Sequence, residues 1–525
     1  MQKNWWKEAV VYQIYPRSFM DSNGDGIGDI PGIIGKLDYI RELGCNALWM
    51  NPCYLSPFGD AGYDVADYCQ VAPRYGSNED LEHLFQEAHK REMHVILDLV
   101  PGHTSTEHPW FKESSKAEEN PYQGRYIWSD SVWRDVADYE GITGSLRGLF
   151  LRDGCVAVNF FSNQPALNYG FANPKEPWQS AVDSPEALET RQAMKDVMDF
   201  WLSKGCDGFR VDMAASLIKN DEGHKETMKL WQDMRGFLDK NYPDAVMISE
   251  WGEPDKSLMG GFHMDFLLHF GPSHYMDLFR CEHPYFSREG RGDASLFVET
   301  YKKNYRLTEG KGMICIPSGN HDMERMRKFL DPEEMKMAFA FLLSMPGAPF
   351  LYYGDEIGLR HLKLTSVEGG YNRTGARTPM QWNCEKNYGF SEGEREMLYT
   401  PQDESEDAPV VSEEMLREDS LWREIQKLIK IRRKYPALCA SGGIEFLYCE
   451  PEKYPLAYLR RAGEEEILVA LNPSGKEVCC KCPYEVKERI YTLGKPAKTE
   501  AGVLCLPAES AAFLKCAGNG GKKYN

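Results

Sequence analysis

The chain is predicted to be an α/β protein: a (β/α)8 TIM-type barrel, a small domain inserted after its third strand, and a C-terminal antiparallel β-sandwich. Three observations predict this. Short apolar runs alternate eight times with segments of helical period, an aromatic- and Pro-rich stretch interrupts the rhythm after the third run, and beyond residue 440 only short strands and turns remain. Runs that are apolar throughout suit a parallel sheet covered on both faces. Eight strand–helix alternations argue for a closed barrel.

Taken in order, EAVVYQIYP (8–16) reads as the first strand and CNALWMNP (45–52) as the second. Between them Ile33, Leu37, Ile40 and Leu43 share one face of a helix over 31–43. Ser77 or Asn78 caps the next helix, whose Leu81, Leu84, Phe85 and Ala88 point inward. HVILDLVP (94–101) is the third strand. After a helix over about 186–203 comes CDGFRVDM (206–213), and after one over about 224–240 comes VMISEWG (246–252). FHMDFLLHF (262–270), GMICIPSGNHD (312–322) and APFLYYGDEIG (348–358) complete the eight. The expected units are a first barrel part (1–103), an insert (104–175) without a long helix, a second barrel part (176–440) and an all-β domain (441–525). An irregular loop over 360–415 should cover the barrel mouth, a last helix spans 421–436, and the tail AGNGGKKYN should be frayed.

At 525 residues, two or three domains are expected. The net charge of −19 repels nucleic acid and anionic membranes and favours a small neutral partner. Neither a signal-like N-terminus nor an apolar run of membrane-spanning length is present, so a cytoplasmic protein is expected. Cys45, Cys69, Cys206 and Cys315 sit in apolar runs and read as buried thiols of a reducing compartment. Cys479, Cys480 and Cys482 read either as half of a metal site or as a strand that happens to carry thiols.

In such a barrel, chemistry gathers where strands end. The third strand ends with Asp98 and His103, the fourth with Arg210 and Asp212, the fifth with Glu250, the seventh with His321 and Asp322. Arg210 and Asp212 are two apart, so on a strand they face the same way, and the arginine is expected to hold Asp212 ionised. Paired carboxylates suit glycoside hydrolysis, in which one attacks or activates water and the other protonates the leaving oxygen.

DLVPGH (98–103), GFRVDMA (208–214), SEWG (249–252) and SGNHD (318–322) resemble the four ordered signatures of the α-amylase family, glycoside hydrolase family 13. The resemblance covers nearly the whole chain, and QPALNY (164–169) and ARTPMQW (376–382) resemble the branch of oligo-1,6-glucosidases, α-glucosidases and trehalose-converting enzymes. It implies Asp212 as nucleophile, Glu250 as acid/base and Asp322 as the carboxylate gripping the sugar hydroxyls. It also implies His103 and His321 as donors to the sugar, and Asp60 with Arg377 as a pair at the pocket floor. Tyr63 would be the stacking platform, with Phe160 and Gln164 lining the pocket from the insert. The implied activity is a retaining, exo-acting α-glucosidase on short oligosaccharides or disaccharides, with the two catalytic carboxyls about 5–5.5 Å apart. A transglycosylase or isomerase acting on sucrose, maltose or trehalose would use the same residues, and a non-catalytic sugar-binding barrel is the reading from another class. A basic rim, with Arg325 and Arg373, would mark a phosphosugar.

DSNGDGIGD (21–29) places oxygens at alternate positions with glycines for a tight turn, as a structural Ca2+ loop does. Asp21, Asn23, Asp25, the Ile27 carbonyl and Asp29 are the expected ligands, and the chemistry itself needs no cofactor. Three departures stand out: Gly102 where the family has Asn, Ala166 for an acid, and Met213 after the nucleophile. Linkage preference and oligomeric state are left open.

Overall fold

The computed structural model describes residues 4–138, 141–148, 150–368 and 373–517. Eight parallel strands form its centre: β1 (Val11–Ile14), β2 (Ala47–Met50), β3 (His94–Leu99), β4 (Gly208–Val211), β5 (Val246–Ser249), β6 (Met264–Phe266), β7 (Met313–Cys315) and β8 (Phe350–Tyr352). Their order is β7-β6-β5-β4-β3-β2-β1-β8. A parallel bridge between Pro317 and Phe350 brings the last strand back to β7, and the Ser318 N–H donates to the Phe350 carbonyl at 2.8 Å. All strand residues are buried, the physical reason for their unbroken apolar runs.

The strands are shorter than the apolar runs suggest. GMICIPSGNHD pairs only over Met313–Cys315, and FHMDFLLHF only over Met264–Phe266. Their C-terminal halves peel off the sheet as loops. The helix expected over 31–43 is two helices, Ile30–Ile34 and Leu37–Leu43. Asp29 caps the first by accepting the Gly32 N–H, and the chain turns at Gly35 and Lys36 before the second starts. Ser77 caps Asn78–Lys90 in a reciprocal box with Asp80, which buries Leu81, Leu84, Phe85 and Ala88 as the periodicity predicts. The helices Pro185–Leu202, Lys225–Asn241 and Leu421–Lys434 fall where the apolar period places them.

After β3 the chain makes one short helix, Pro109–Ser114, and a hairpin of Gly144–Arg147 with Cys155–Val158. Ile127, Val136, Cys155, Ala157, Ala166 and Phe171 build a small core of their own there. The C-terminal region holds β9 (Gly443–Tyr448), β10 (Leu456–Ala462), β11 (Glu465–Asn472), β12 (Val478–Lys481), β13 (Val486–Leu493), β14 (Lys498–Glu500), β15 (Val503–Leu506) and β16 (Ser510–Cys516). A five-stranded antiparallel sheet, β9-β10-β11-β16-β13, faces a three-stranded one, β12-β15-β14. Leu459, Leu468 and Leu514 from the first meet Cys480, Leu504 and Leu506 from the second. The frayed tail expected from the sequence lies, from residue 518 on, outside the described residues.

The cysteine cluster divides by strand alternation. Cys479 is exposed and disulfide-bonded to Cys505, its cross-strand partner, so the strand does not simply carry thiols. Cys480 and Cys482 turn inward among the core side chains, and no half-site for a metal forms. Cys45, Cys206 and Cys315 are buried free thiols, whereas Cys69 is only half-buried.

Candidate active site

One guanidinium organises the rim where β3, β4 and β5 end. Arg210 Nη1 donates to Asp98 Oδ1 at 2.7 Å, to Asp212 Oδ1 at 3.1 Å and to the Tyr63 hydroxyl at 3.3 Å. Its Nη2 lies 2.7 Å from Glu250 Oε2. Strand geometry dictates this: Arg210 and Asp212 share a face of β4, and Glu250 follows directly on the neighbouring β5. The Met213 N–H also donates to Glu250 Oε2, at 3.2 Å. Arg210 lowers the nucleophile candidate, as the sequence led us to expect, but it does not prevail. Burial, with the charges of Glu250, Asp98 and Asp322, pushes the Asp212 carboxyl well above its ordinary range, and Arg210 pulls the other way. The cation is shared among three carboxylates, so none receives its full effect. Asp98 is likewise pushed up to about 6 by burial, with Arg210 opposing.

Asp322 has a different environment. Burial works against its ionisation, yet His321, Arg373 and Arg377 hold it far below the usual carboxylate range. Arg377 Nη2 is 3.1 Å from Asp322 Oδ1, and Arg373 Nη1 contacts the same oxygen. Arg373 also reaches Asp60 Oδ1 at 2.9 Å. The floor pair is therefore Asp60–Arg373, not Asp60–Arg377. Arg377 lies behind Asp322, where its Nε donates to the His321 carbonyl at 2.8 Å and its guanidinium stacks on Tyr15. Gln164 does not line the cavity; its Nε2 donates to Asp60 Oδ2 at 2.9 Å and holds the carboxylate in place.

His321 is neutral, with burial holding its pKa well below the usual imidazole value. Its Nδ1 receives the side-chain amides of Gln13 (3.1 Å) and Asn51 (3.2 Å), so the ring proton sits on Nε2, facing Asp322 Oδ2 at 3.2 Å. The Tyr63 ring lies parallel to His321 at 5.2 Å, and its hydroxyl donates to Asp98 Oδ2 at 3.0 Å. A cavity of about 1040 Å3 opens above this layer, lined by Asp60, Tyr63, His103, Asp212, Glu250, Asp322 and Arg373. Phe160, 41% exposed, lines it from the insert, whereas Phe161 does not. Arg210, His321 and Arg377 stand behind the lining side chains.

Residues 13–441 match the alpha amylase catalytic domain. The chain belongs to the alpha-amylase family. An oligo-1,6-glucosidase of Parageobacillus thermoglucosidasius is 31% identical, over 94% of this chain and 95% of that one. A glucan 1,6-alpha-glucosidase of Streptococcus pneumoniae is also 31% identical, over 91% and 93%. The trehalulose synthase of Pseudomonas mesoacidophila superposes with a TM-score of 0.81 at 26% identity, over 98% of this chain and all of that one. As a member of the alpha-amylase family, the protein is a glycoside hydrolase with three acidic side chains at three strand ends.

Against that family pattern the Gly102 departure acquires a reason. A Cβ on Gly102 would stand 2.5 Å from Asn159 Nδ2. The insert thus supplies from position 159 an amide at the place a side chain at 102 would fill. Asn159 Nδ2 lies 3.2 Å from His103 Nδ1 and 3.3 Å from Ser216 Oγ. His103 Nε2 meets the Tyr63 carbonyl at 3.2 Å, and burial lowers its pKa to about 4. Both His103 nitrogens are engaged, so donating to a sugar requires exchange with Tyr63.

Met213, Trp251, His269, Phe270, Met323 and the loop 220–224 complete the cavity wall in this family member. Met213 and Trp251 lie within the quoted signatures, whereas the only signal for His269, Phe270, Met323 and the loop 220–224 was position, in the loops that follow β4, β6 and β7. The rim beyond Glu250 carries Asp221, Glu222 and Glu324. Arg325 is not there: it is buried, paired with Asp355 at 3.1 Å and bonded to the Tyr353 carbonyl. The basic rim a phosphosugar would need is absent from the described residues.

The loop 21–29 closes successive Asx turns. Asp21 Oδ1 accepts the Asn23 and Gly24 N–H groups, Asn23 Oδ1 that of Asp25, and Asp25 Oδ1 that of Ile27. Asp21 and Asp29 are buried, and neither pairs with a Lys or Arg among the described residues. Burial and the Asp21 charge raise the Asp29 carboxyl despite its hydrogen bonds from Gly32 and Ser22. The Asp21 and Asp29 oxygens accept hydrogen bonds from Gly24, Gly26, Ser391, Ser22 and Gly32, and the carboxylates of Asp21, Asp25 and Asp29 do not converge on one point in this structure, so the loop fits a hard cation only if these side chains turn from their donors.

Proposed function

We propose that the protein is a retaining, exo-acting α-glucosidase that removes single glucosyl units from short oligosaccharides or disaccharides. The observation that carries this reading is the cavity itself, with Asp212 and Glu250 on one guanidinium and Asp322 opposite, above a floor closed by Asp60–Arg373. A closed floor accepts a non-reducing end and nothing beyond it. In the first step Glu250 gives its proton to the glycosidic oxygen while Asp212 attacks the anomeric carbon, and the leaving sugar departs with the proton. The β-glucosyl ester on Asp212 is then opened by water, which loses its proton to Glu250, and α-glucose leaves with retention. Asp322 and Arg373 hold the hydroxyls of the bound ring, and His321, set behind the lining, keeps Asp322 in place.

The relatives named oligo-1,6-glucosidase and glucan 1,6-alpha-glucosidase support hydrolysis. A second reading, isomerisation of a disaccharide, draws on the trehalulose synthase neighbour and on a trehalose synthase/amylase of Mycolicibacterium smegmatis, 31% identical over 88% of this chain and 82% of that one. The test is product analysis on maltose, isomaltose, sucrose and trehalose, with Asp212→Asn as control. Free glucose from the parent alone supports the glucosidase, and the best substrate gives the linkage. A new disaccharide without glucose supports the isomerase, and activity surviving in the variant overturns the nucleophile assignment.

Asp21, Asn23, Asp25, the Ile27 carbonyl and Asp29 are proposed to hold a structural Ca2+ that neutralises the two buried carboxylates. Chelation should then lower the melting temperature, and added Ca2+ restore it. A reducing, cytoplasmic location is supported by thirteen free cysteines. In that compartment the Cys479–Cys505 pair would be reduced. No helix among the described residues is long and apolar enough to cross a membrane.

A further inference from the structure

The barrel has a second cluster of chemistry-bearing side chains, at the end opposite the cavity. His94 opens β3, Asp207 directly precedes β4, and His89 lies in the last turn of the helix Asn78–Lys90. His89 Nε2 is 2.8 Å from Asp207 Oδ2, and His94 Nδ1 is 2.9 Å from Asp207 Oδ1. The three ligand atoms lie within 4.8 Å of one another, and no other such group of His, Cys, Asp or Glu occurs among the described residues.

We propose that His89, His94 and Asp207 form a binding site for a divalent transition-metal ion, with Zn2+ as the fitting occupant. Two imidazoles and one carboxylate are borderline donors of the kind that Zn2+ takes, and three protein ligands leave a fourth position for water. The surroundings hold the set in place. Asp207 Oδ2 accepts the Val95 N–H at 2.8 Å, and the His94 ring stacks on Trp5 at 3.9 Å with planes 10° apart. Such outer contacts orient metal ligands. Asp207 has no Lys or Arg partner among the described residues, so its counter-charge must come from the imidazoles or from a cation. The His89 side chain is 22% exposed, which gives an ion a way in.

Binding requires a lone pair on each facing nitrogen. The proton now directed at Asp207 leaves to solvent from a cationic ring, or sits on the other nitrogen of a neutral one. The ion replaces these two hydrogen bonds with bonds of about 2.0–2.2 Å. It would tie the helix Asn78–Lys90 to the starts of β3 and β4, a stabilising role at the end of the barrel remote from catalysis.

The test is titration of the full chain with Co2+, in saturating Ca2+ so that the loop 21–29 is not the binding site. One equivalent should bind with visible d–d bands and without thiolate charge-transfer absorption, and Zn2+ should displace it. His89→Gln and His94→Gln, shown folded by circular dichroism, should each weaken binding by more than about tenfold. In the parent, Zn2+ should raise the melting temperature, and in the variants it should not. No d–d bands in the parent, bands that persist in both variants, or thiolate absorption showing the metal on cysteines would each overturn the site.

Discussion

On the β4–β5 side of the cavity one guanidinium, Arg210, meets three carboxylates, Asp98, Asp212 and Glu250. On the β7 side two guanidiniums, Arg373 and Arg377, meet Asp322; Asp60 also pairs with Arg373, Glu368 lies 4.0 Å from Arg377, and neutral His321 stands beside Asp322. Exposure runs only from 0% of the Asp98 side chain to 19% of that of Asp322, and burial pushes Asp98, Asp212 and Asp322 all the same way, so desolvation alone does not separate them. The balance of charge does. Where anions outnumber the cation, Asp212 and Asp98 are pushed up and the group can keep a proton; where two guanidiniums meet one carboxylate, Asp322 stays ionised. A retaining mechanism needs one proton and one free carboxylate on the crowded pair, an acid for the leaving oxygen and a nucleophile for the anomeric carbon.

Removing the nucleophile should have the largest effect. Asp212→Asn should lower kcat by about 10^4-fold or more with the fold intact, measured as glucose release. A smaller loss would mean that the crowded side does not carry the bond-making step. The β7 side is tested by comparing its two arginines. Arg373→Ala leaves Asp60 without its cation and should lower kcat/KM on the order of 10²-fold, mostly through KM. Arg377→Ala, buried against Tyr15, should act chiefly on stability, by about 3 kcal/mol in urea unfolding. Equal KM effects would return Arg377 to the floor.

Asn159→Ala removes the amide beside His103 and should lower kcat/KM about tenfold. Adding Gly102→Asn should restore part of it, whereas Gly102→Asn alone should clash with Asn159 and cost more. The smallest effect is a pH dependence. Asp98 has a folded pKa of about 6, above its unfolded value of about 3.9, so the folded state holds the extra proton. Its stability contribution is complete below the unfolded value and is lost as pH rises through about 6. Relative to Asp98→Asn, the parent should therefore lose stability between about pH 4 and pH 6, as read by thermal unfolding. A flat difference would show that Arg210 fully compensates Asp98.

The sequence by itself determined the eight strands, the caps and the strand ends that carry Asp212, Glu250 and Asp322, because alternation, helical period and capping are local properties. It also pointed to Tyr63 and Phe160 at the cavity. Only the tertiary structure decided that Asp60 meets Arg373 rather than Arg377, two arginines four residues apart in an irregular loop with no period to orient them. It alone placed Asn159 in the space left by Gly102 and joined Cys479 to Cys505, since both contacts depend on chain returning from far along the sequence. The rise of Asp212 was illegible for a further reason. A sequence shows Arg210 two residues away, but desolvation and the sharing of one cation among three carboxylates exist only once the strands have closed around them.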